Sequence, residues 1–568
     1  MTDATITRGP IAGIRPKLSR DDWIMRGFII LVGVWMTTVV LLPLYFMMSK
    51  SMEDGDGHFV GLANFATYFS TPALFYSINN SLFIAIVSTV ITVTLAFVYA
   101  YALTRSCIFA KGGFRIVALF PLLAPSLLPA ISFVYLFGKQ GVISWLLGGY
   151  SIYGPIGIVM GEVFYTFPHA MMILVVALST ADARIYEAAV SLRASKSRTF
   201  FTVTVPAVKY GLVSAIFVVF TLVITDFGIP KVIGGRFNVL AVDIYKQVIG
   251  QQNFEMGAVV SVVLLIPAIV AFIADRFVQR RQVALVTSSS VPYQAKPSAL
   301  FDGVMLAYCG FIAFLIIGIL GMSMFASLVT FWPYNMALGF TNYNFDVMDG
   351  GGWEAFRNSL RMALYTAIFG TIIVFTGAYM VEKAKGFSGV RGVIQFLCML
   401  PMAVPGMVLG LAYIFFFNHP ANPLGFIYGT MAILVICTIA HFYTVSHLTA
   451  MTALKQMDPE FESVSSSLKV PVLKTFLVVT IPVCLPAILD ISIYLFVNAM
   501  TTVSAVIFLY SPDTTLASVA ALNMDDAGDV APAAAMCTMI VLACAAVRLV
   551  HALATHGLQR TTQAWRKR

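Results

Sequence analysis

Long apolar segments separated by short polar stretches set the pattern of this chain. A helix of about 20 apolar residues crosses a hydrocarbon core of about 30 Å, and twelve segments approach that length. The pattern therefore predicts an all-α membrane protein with about 12 transmembrane helices. The predicted spans lie near residues 27–48, 82–104, 116–137, 156–179, 207–225, 256–274, 303–328, 361–381, 393–416, 424–449, 483–503 and 532–550.

One polar stretch between two predicted spans occurs twice. Residues 182–206 and 458–482 align without a gap, 276 positions apart, so that Asp182 matches Asp458 and Leu192 matches Leu468. A repeat at so long a period indicates two copies of one domain in tandem. Because six predicted spans precede the second domain, both domains start with the same orientation and are related by an axis along the membrane normal.

Further polar positions repeat nearer the start of each half. A Gly-x-x-Asn motif ends at Asn64 and at Asn342, and an Asn-Ser-Leu triplet opens the second span of each half at Asn80 and Asn358. Prolines inside spans are tolerated where neighbouring groups satisfy the freed carbonyls, and they predict fixed kinks. The repeated prolines of the third and ninth spans are Pro121, Pro125, Pro401 and Pro405.

Each copy of the repeated polar stretch predicts a short helix. Asp182 and Asp458 can cap the helices, and Pro459 suits a first helical position. Small or apolar residues at i, i+3, i+4 and i+7 give each helix one apolar face. Such a face folds back on the membrane or docks on a soluble partner, and its duplication favours a partner. The face residues are Ile185, Ala188, Ala189 and Leu192 in the first copy and Phe461, Val464, Ser465 and Leu468 in the second.

Composition and charge restrict the class of protein. A chain that is 59% hydrophobic and 11% charged is not a soluble globular protein. With the N-terminus inside, 28 of the 35 basic residues fall on the cytoplasmic side, as the positive-inside rule expects. The net charge of +9 thus reflects topology and gives no indication of nucleic-acid binding. The seven cysteines show no disulfide or metal-ligand spacing.

This orientation predicts cytoplasmic termini and a multi-pass protein of a bacterial inner membrane. Both repeated polar stretches then face the cytoplasm. The predicted organisation is an N-terminal tail over 1–26, a first half over 27–281, a linker over 282–301, a second half over 302–556 and a basic tail over 557–568.

Polar side chains inside predicted spans are the candidates for a substrate path. A charge at mid-bilayer costs at least about 2.5–3.5 kcal/mol, so it usually faces a bundle interior or water. The alternative role for each is a hydrogen bond between helices. The candidates are Glu162, Tyr165, His169 and Asp226 in the first half and His441, Tyr443, Asp490 and Asn498 in the second. The spacing indicates no metal site, and no phosphate-binding loop or catalytic cluster is present in the sequence.

Residues 187–189, Glu-Ala-Ala, with Pro206 nineteen positions after the Glu, resemble the coupling motif of permease subunits of bacterial ABC importers. Arg193 stands where that motif has Gly. The second copy has Lys469 at this position, and its Glu462 lies one position early. If the family's Gly has a positive φ, a side chain there costs roughly 1 kcal/mol.

The resemblance implies two coupling helices, over 182–200 and 458–476, each receiving one copy of a cytoplasmic ATPase. It also implies a periplasmic solute-binding protein, surrounding membrane lipid, and alternating access driven by ATP and Mg bound to the ATPase, with no cofactor on this chain. The residues expected to serve coupling are Asp182, Ile185, Glu187, Ala188, Ala189, Leu192, Arg193, Asp458, Phe461, Glu462, Val464, Leu468 and Lys469.

The substrate is expected from resemblance alone. A single chain holding both halves resembles the ferric-iron type of importer permease, and residues 498–529 resemble the permease assigned to 2-aminoethylphosphonate uptake. The expectation is 2-aminoethylphosphonate, with Fe(III) or another small solute as the alternative. A secondary transporter of the major-facilitator kind also has six plus six spans, but its Gly-x-x-x-Asp-Arg motif is absent from the loops at 105–115 and 382–391.

Overall fold

The computed structural model describes residues 20–282, 291, 293–348, 350–383, 387–458 and 460–562. Among these residues, nine helices are long and apolar enough to cross a membrane, and three bent helix pairs raise the number to twelve if each pair forms one span. The predicted all-helical membrane fold is confirmed. One small addition is an antiparallel hairpin of Val329–Phe331 and Asn335–Leu338.

The first half begins with a span built of Arg20–Met36, a π turn and Leu42–Lys50. Two short elements follow at Ala63–Ser70 and, beyond the second span, Lys111–Ala118. The remaining helices of this half are Pro72–Arg105, Leu127–Phe137, Pro155–Ser179, Ala183–Ser191, Lys196–Thr199, Val205–Thr225, Gly228–Ile233, Leu240–Tyr245 and Phe254–Gln282.

The second half repeats this order from Ala299–Leu328 onward, with the hairpin inserted after its first span. Its later helices are Gly352–Lys383, Ser388–Met399, Gly406–Phe417, Met431–His441, Tyr443–Lys455, Glu460–Ser467, Val472–Thr475, Ile481–Thr501, Ala517–Ala527 and Val530–Thr562.

The third and ninth segments are broken more sharply than a proline kink in a continuous helix. In the third, Lys111–Leu123 meets Leu127–Phe137 at 100°, and in the ninth Gly389–Ala403 meets Gly406–Phe417 at 113°. Each break follows a 3₁₀ turn and extended backbone, because the prolines withdraw N–H donors there. The predicted kinks are therefore changes of direction between two helices.

Backbones come very close at both of these breaks, and small residues permit it. A Cβ placed on Gly228 would lie 2.1 Å from Ser126 Oγ, and one on Gly406 would lie 2.4 Å from Ser504 Oγ. Ser126 and Gly406 follow the repeated prolines, and Gly228 and Ser504 follow the fifth and eleventh spans. The two halves thus use one Ser and one Gly at the same contact, with the two residues exchanged.

The fourth and tenth spans differ from expectation. The fourth span contains Pro168, a residue that usually breaks a helix, but Pro155–Ser179 continues through it. The tenth segment carries Ser446 where the fourth has Pro168, yet it bends by 56° between Met431–His441 and Tyr443–Lys455. The bend of the tenth segment therefore does not require a proline.

The repeated asparagine and serine motifs anchor connecting backbone. The Asn64 amide donates to the carbonyls of Ser51 and Glu53 at 3.1 and 2.7 Å, and the Asn342 amide donates to those of Ser327 and Val329 at 3.1 and 2.7 Å. These bonds satisfy carbonyls at the ends of the first and seventh spans, where no helical partner exists.

A second anchor of the same kind holds the segment that leads to the last span of each half. Ser81 Oγ accepts the Leu240 N–H at 2.8 Å, and Ser359 Oγ accepts the Ala517 N–H at 2.7 Å. These serines belong to the repeated Asn-Ser-Leu triplets. The repeats that the sequence contains are thus hydrogen-bonding positions.

The opening span of each half packs on the opposite half. Phe46 of the first span lies 5.4 Å from Phe416 between ring centroids, and the Asp21 carboxylate accepts the Val472 N–H at 3.1 Å. Reciprocally, Tyr308 of the seventh span donates to the Leu95 carbonyl at 2.8 Å. This exchange ties the halves together as one bundle.

Each repeated polar stretch forms a short helix, a turn and the start of the next span. Asp182 caps Ala183–Ser191 by accepting the Arg184 N–H, and Asp458 accepts the Glu460 N–H in the same way. The predicted single helices over 182–200 and 458–476 are therefore wrong in length. Pro459 lies outside the described residues. We call Ala183–Ser191 and Glu460–Ser467 the first and second coupling helices.

The residues that replace the motif's Gly adopt the conformation that glycine favours. Arg193 has φ 51° and Lys469 has φ 54°. In both copies the chain turns directly after the coupling helix, with Ala194 N–H bonded to the Ala189 carbonyl and Val470 N–H to the Ser465 carbonyl. This is a left-handed helix C-terminus, which carries a penalty for any residue with a Cβ.

We expect Arg193→Gly to stabilise the protein by roughly 1 kcal/mol relative to Arg193→Ala, because only glycine removes the Cβ penalty at positive φ. The side-chain charge is lost in both variants, so their comparison isolates the backbone. Thermal unfolding of the purified permease measures the difference. Equal unfolding temperatures would contradict the assignment of strain to this turn.

We expect Gly228→Ser to destabilise the bundle by about 1–3 kcal/mol, because the new side chain overlaps Ser126. Adding Ser126→Gly should restore most of the lost stability. The double variant then has Gly and Ser at the positions where the second half has Gly406 and Ser504. Gly310→Ser is the control, because a Cβ on Gly310 meets open space. Unfolding temperatures of the four proteins decide the matter, and a double variant no more stable than Gly228→Ser would refute the exchange.

Candidate coupling surfaces and membrane polar cluster

The coupling helices present apolar side chains to solvent. Leu192 is 82% exposed and Leu468 is 70% exposed, and Ile185, Phe461 and Val464 are exposed as well. Burial of such side chains is favourable, so a contiguous exposed set indicates an interaction surface. The predicted faces are thus largely present on the outside of the fold.

Not every residue of the predicted faces is available. Ala189 is buried, whereas Ala188 and Glu187 are exposed. In the second copy Ser465 is half-buried, because its hydroxyl contacts that of Thr475. A groove of about 530 Å³ runs beside the second coupling helix, between Phe461, Val464 and Leu468 and the residues that open the eleventh span. The residues of these faces that remain available to a partner are therefore mainly those with large apolar side chains.

Each coupling helix is fastened to the end of a transmembrane helix at the same repeat position. In the first half the Arg105 guanidinium lies 5.0 Å from the Tyr186 ring centroid and donates to its hydroxyl at 3.4 Å. In the second half Glu462, which matches Tyr186, forms an ion pair with Lys383. Glu462 therefore faces its own chain and is not a free acidic anchor.

The predicted membrane candidates fall into a cluster and two separate contacts. Glu162 is fully buried and has no hydrogen-bond partner within 3.5 Å among the described residues, although its carboxyl lies beside that of Asp226. Asp226 also caps the next helix by accepting the Ile229 N–H at 2.9 Å. Tyr165 lies within electrostatic range of both acids. These three residues form what we call the polar cluster.

Second-half residues approach the polar cluster through Tyr494. Tyr494 lies within electrostatic range of Tyr165, and its carbonyl accepts the Asn498 amide at 2.8 Å. Phe442 lies 6.2 Å from Tyr494 and 4.6 Å from His441 between ring centroids. Asn498 and His441 are thus connected to this region, whereas Tyr494 itself was missed from the sequence because a lone tyrosine in a span carries no distinctive signal.

Two predicted candidates serve contacts between helices elsewhere. The Tyr443 ring is buried, stacks on His447 at 5.6 Å, and points its hydroxyl toward Gly377 of the eighth span. Asp490 lies 3.5 Å from His551 Nε2, and its side chain is largely exposed. In the first half the matching positions are Ser214 and Asp275, whose side chains hydrogen bond at 2.7 Å. Asp490 thus occupies a repeated contact between the last two spans.

His169 has a partner in the repeat that the sequence analysis missed. Tyr165 and His169 pack at 6.1 Å between centroids, as Tyr443 and His447 do at 5.6 Å. His447 is fully buried, and both of its ring nitrogens are without a hydrogen-bond partner among the described residues. The signal that could have identified it is the pattern Tyr-Thr-x-x-His, present in both halves.

At the end of the bundle opposite the coupling helices, an ion pair joins the halves. Lys231 Nζ lies 2.7 Å from Asp526 Oδ1, and the ammonium also lies 5.1 Å from the Tyr245 ring. Burial raises the pKa of the neighbouring Asp525 to about 6, and the Asp526 charge acts in the same direction. This pair holds the halves together on the side away from the coupling surfaces.

One exposed loop brings two acids and a histidine together. Atoms of Asp54, Asp56 and His58 lie within 4.8 Å of one another. The Asp54 carboxylate accepts the N–H groups of Asp56 and His58 at 3.1 and 2.8 Å, which is the arrangement of a side-chain-stabilised turn. The loop's geometry is accounted for by these hydrogen bonds.

Comparison with known proteins places the two halves in one family. The model of the binding-protein-dependent transport system inner membrane component matches residues 93–284 and 373–560, one match in each half. These ranges contain both coupling helices and the residues of the polar cluster. Transport systems of this kind operate with an ATPase and a periplasmic binding protein.

Individual relatives extend over most of the chain. The ferric transport system permease protein FbpB of Actinobacillus pleuropneumoniae is 30% identical, over 83% of this chain and 70% of the relative. The Fe(3+)-transport system permease protein FbpB 2 of Haemophilus influenzae is 22% identical, over 89% and 96%. The thiamine transport system permease protein ThiP of Brucella abortus is 24% identical, over 69% and 70%. The chain therefore belongs to the binding-protein-dependent permease family, as a multi-pass, non-catalytic inner-membrane subunit of a bacterial ABC importer with two permease domains in tandem.

Proposed function

We propose that this chain forms the membrane pathway of an ATP-driven importer of ferric iron, with its two halves alternating in access. The observation that carries the coupling role is the pair of exposed apolar helices at matching positions. Each receives one copy of an ATPase, on which ATP and Mg are bound and hydrolysed. The positive-inside pattern supports cytoplasmic coupling helices and termini, and a periplasmic binding protein delivers the solute to the opposite side.

The substrate part of the proposal replaces 2-aminoethylphosphonate with Fe(III). The comparisons give no support to a phosphonate, whereas two relatives that span most of the chain carry ferric transport names. The chemistry of the polar cluster agrees with this choice. Glu162, Asp226 and Tyr165 offer carboxyl and phenol oxygens, which hard cations prefer, while a phosphonate would need a cationic partner.

The attachments of the coupling helices explain how ATPase closure reaches the membrane. Arg105 ends the second span and contacts Tyr186, while Lys383 ends the eighth span and pairs with Glu462. A movement of either coupling helix therefore pulls on a long transmembrane helix. The Lys231 and Asp526 pair at the far end joins the halves and is the contact that opening on that side would have to break.

We expect a Glu187→Ala, Leu192→Ala, Leu468→Ala variant to insert normally but to lose the ATPase and at least about tenfold of its uptake rate. The reason is that large exposed side chains at the centre of an interface provide most of its binding energy. Copurification of the ATPase and uptake into proteoliposomes are the measurements.

The matched control for this variant is Leu300→Ala, Leu553→Ala. Both leucines are as exposed as the coupling leucines but lie on the first and last spans of the second half. Copurification and uptake should be unchanged in the control. Undiminished copurification in the triple variant would reject the coupling assignment.

We expect proteoliposomes holding the whole complex and its binding protein to take up Fe(III) and not 2-aminoethylphosphonate. A Glu162→Gln, Asp226→Asn variant should lower iron uptake about tenfold, because it removes both carboxylates of the polar cluster while ATPase copurification remains. Asp490→Asn is the control, since this acid belongs to a separate contact. Uptake of the phosphonate alone would overturn the choice of substrate, and unchanged iron uptake in the double variant would overturn the role of the cluster.

A further inference from the structure

A cavity of about 420 Å³ lies at the end of the second span, where Arg105 contacts Tyr186 of the first coupling helix. It is bounded by the ends of the second and fourth spans, by the helix Lys111–Ala118, and by the segment that joins the halves. Three basic side chains, Arg105, Lys111 and Arg115, line it together with Tyr293. The cavity is therefore electropositive and has an aromatic wall.

Arg105 is buried without a counter-ion. It is only 7% exposed, and its guanidinium donates to the Leu178 carbonyl at 2.8 Å and lies 4.3 Å from the Tyr293 ring. Within the described residues it has no carboxylate at ion-pair distance, and its Nε has no hydrogen-bond partner. A buried charge is costly unless a charge of opposite sign compensates it. An anion is thus the missing component.

The other two cations have little compensation from acids. Lys111 is within electrostatic range of Asp302, whose two carboxylate oxygens already accept the N–H groups of Cys107 and Ser298 at 2.8 and 2.9 Å. Arg115 has no carboxylate at ion-pair distance among the described residues. Three cations and one occupied acid leave an excess of positive charge around the cavity.

The surroundings favour a ligand that is both anionic and lipidic. Phe109 precedes the helix Lys111–Ala118 and Ile116 follows Arg115 within it, and these two side chains are 70% and 60% exposed. The helix Lys111–Ala118 thus carries basic and apolar side chains on different faces, as helices at a membrane surface do. An acyl chain can lie against the apolar side while its headgroup enters the cavity.

The second half does not reproduce this site. Ser388 opens the matching helix where the first half has Lys111, and Arg26 of the first span lies over the ring of the preceding Phe387 at 5.2 Å. Lys383, which matches Arg105, is paired with Glu462. The segment with Tyr293 is also bound to the first half, where the Val291 carbonyl accepts the Ala183 N–H at 2.9 Å. Among the described residues, the second half therefore has a paired lysine and a serine where this cavity has Arg105 and Lys111.

We propose that this cavity binds the phosphate group of an anionic phospholipid from the leaflet that faces the coupling helices. Guanidinium and ammonium groups that line one cavity match the charge of a phosphate and can donate hydrogen bonds to its oxygens. Because Arg105 also contacts Tyr186, the bound headgroup braces the first coupling helix. The bracing of the coupling helix and the choice of leaflet rest on the proposed function, whereas the binding of the phosphate group does not.

The test measures phosphatidylglycerol binding to the detergent-solubilised complex by native mass spectrometry. The variant is Lys111→Gln, Arg115→Gln, which leaves the buried Arg105 in place. The charge-matched control is Lys209→Gln, Lys455→Gln, both exposed lysines on the same side of the bundle. Each cation near an anionic lipid contributes about a fivefold change in affinity, so the variant should bind roughly 25-fold more weakly than the control.

A second arm separates a lipid headgroup from a soluble anion by adding millimolar inorganic phosphate. Phosphatidylglycerol binding that depends on Lys111 and Arg115 and persists in phosphate supports the proposal. Binding of inorganic phosphate alone, with the same dependence, overturns the lipid source. Equal lipid binding by the variant and the control overturns the site. Lipid binding is measured without transport. This test is therefore independent of ATPase copurification by the coupling variant, which tests the proposed function.

Discussion

Every backbone N–H and C=O group inside a membrane must find a partner within the protein, and the broken segments of this chain depend on that requirement. Its helices stop at several points within each half, at the repeated prolines and at the joints before the last span. Side chains such as Asn64, Ser81, Asn342 and Ser359 supply the bonds that the backbone lacks there. Duplicated hydrogen bonds are therefore what make the two halves alike.

The coupling helices show that similar geometry need not rest on similar chemistry. In each half a cation at the end of a span contacts the coupling helix at the same repeat position. Arg105 contacts the ring and hydroxyl of Tyr186, whereas Lys383 pairs with the carboxylate of Glu462. The linker segment adds Tyr293 on the first side only. The two coupling sites therefore differ in their surroundings, and a fused chain can maintain such a difference where identical subunits cannot.

Hydrophobic pattern and repeat could predict the helical class, the two halves, the caps at Asp182 and Asp458 and the exposed apolar anchors, because these depend on neighbours within about one helical turn. The turn at Arg193 was also foreseeable from the glycine position of the related motif. The bend of the tenth segment was not, since it lacks the proline of the fourth. Which side chains gather around Glu162 depended on helices distant in the chain.

The sequence by itself determined where the chain crosses the membrane, how it repeats and that the two coupling helices carry exposed apolar side chains. Local periodicity and charge decide those features. Only the tertiary structure decided that Tyr165 lies within electrostatic range of Glu162 and Asp226 while Asp490 and Tyr443 serve other contacts, and that Arg105 is buried without an acid. The reason is that a polar residue in a span has the same local pattern whichever helix it faces. Its role is set by the packing of segments hundreds of residues apart.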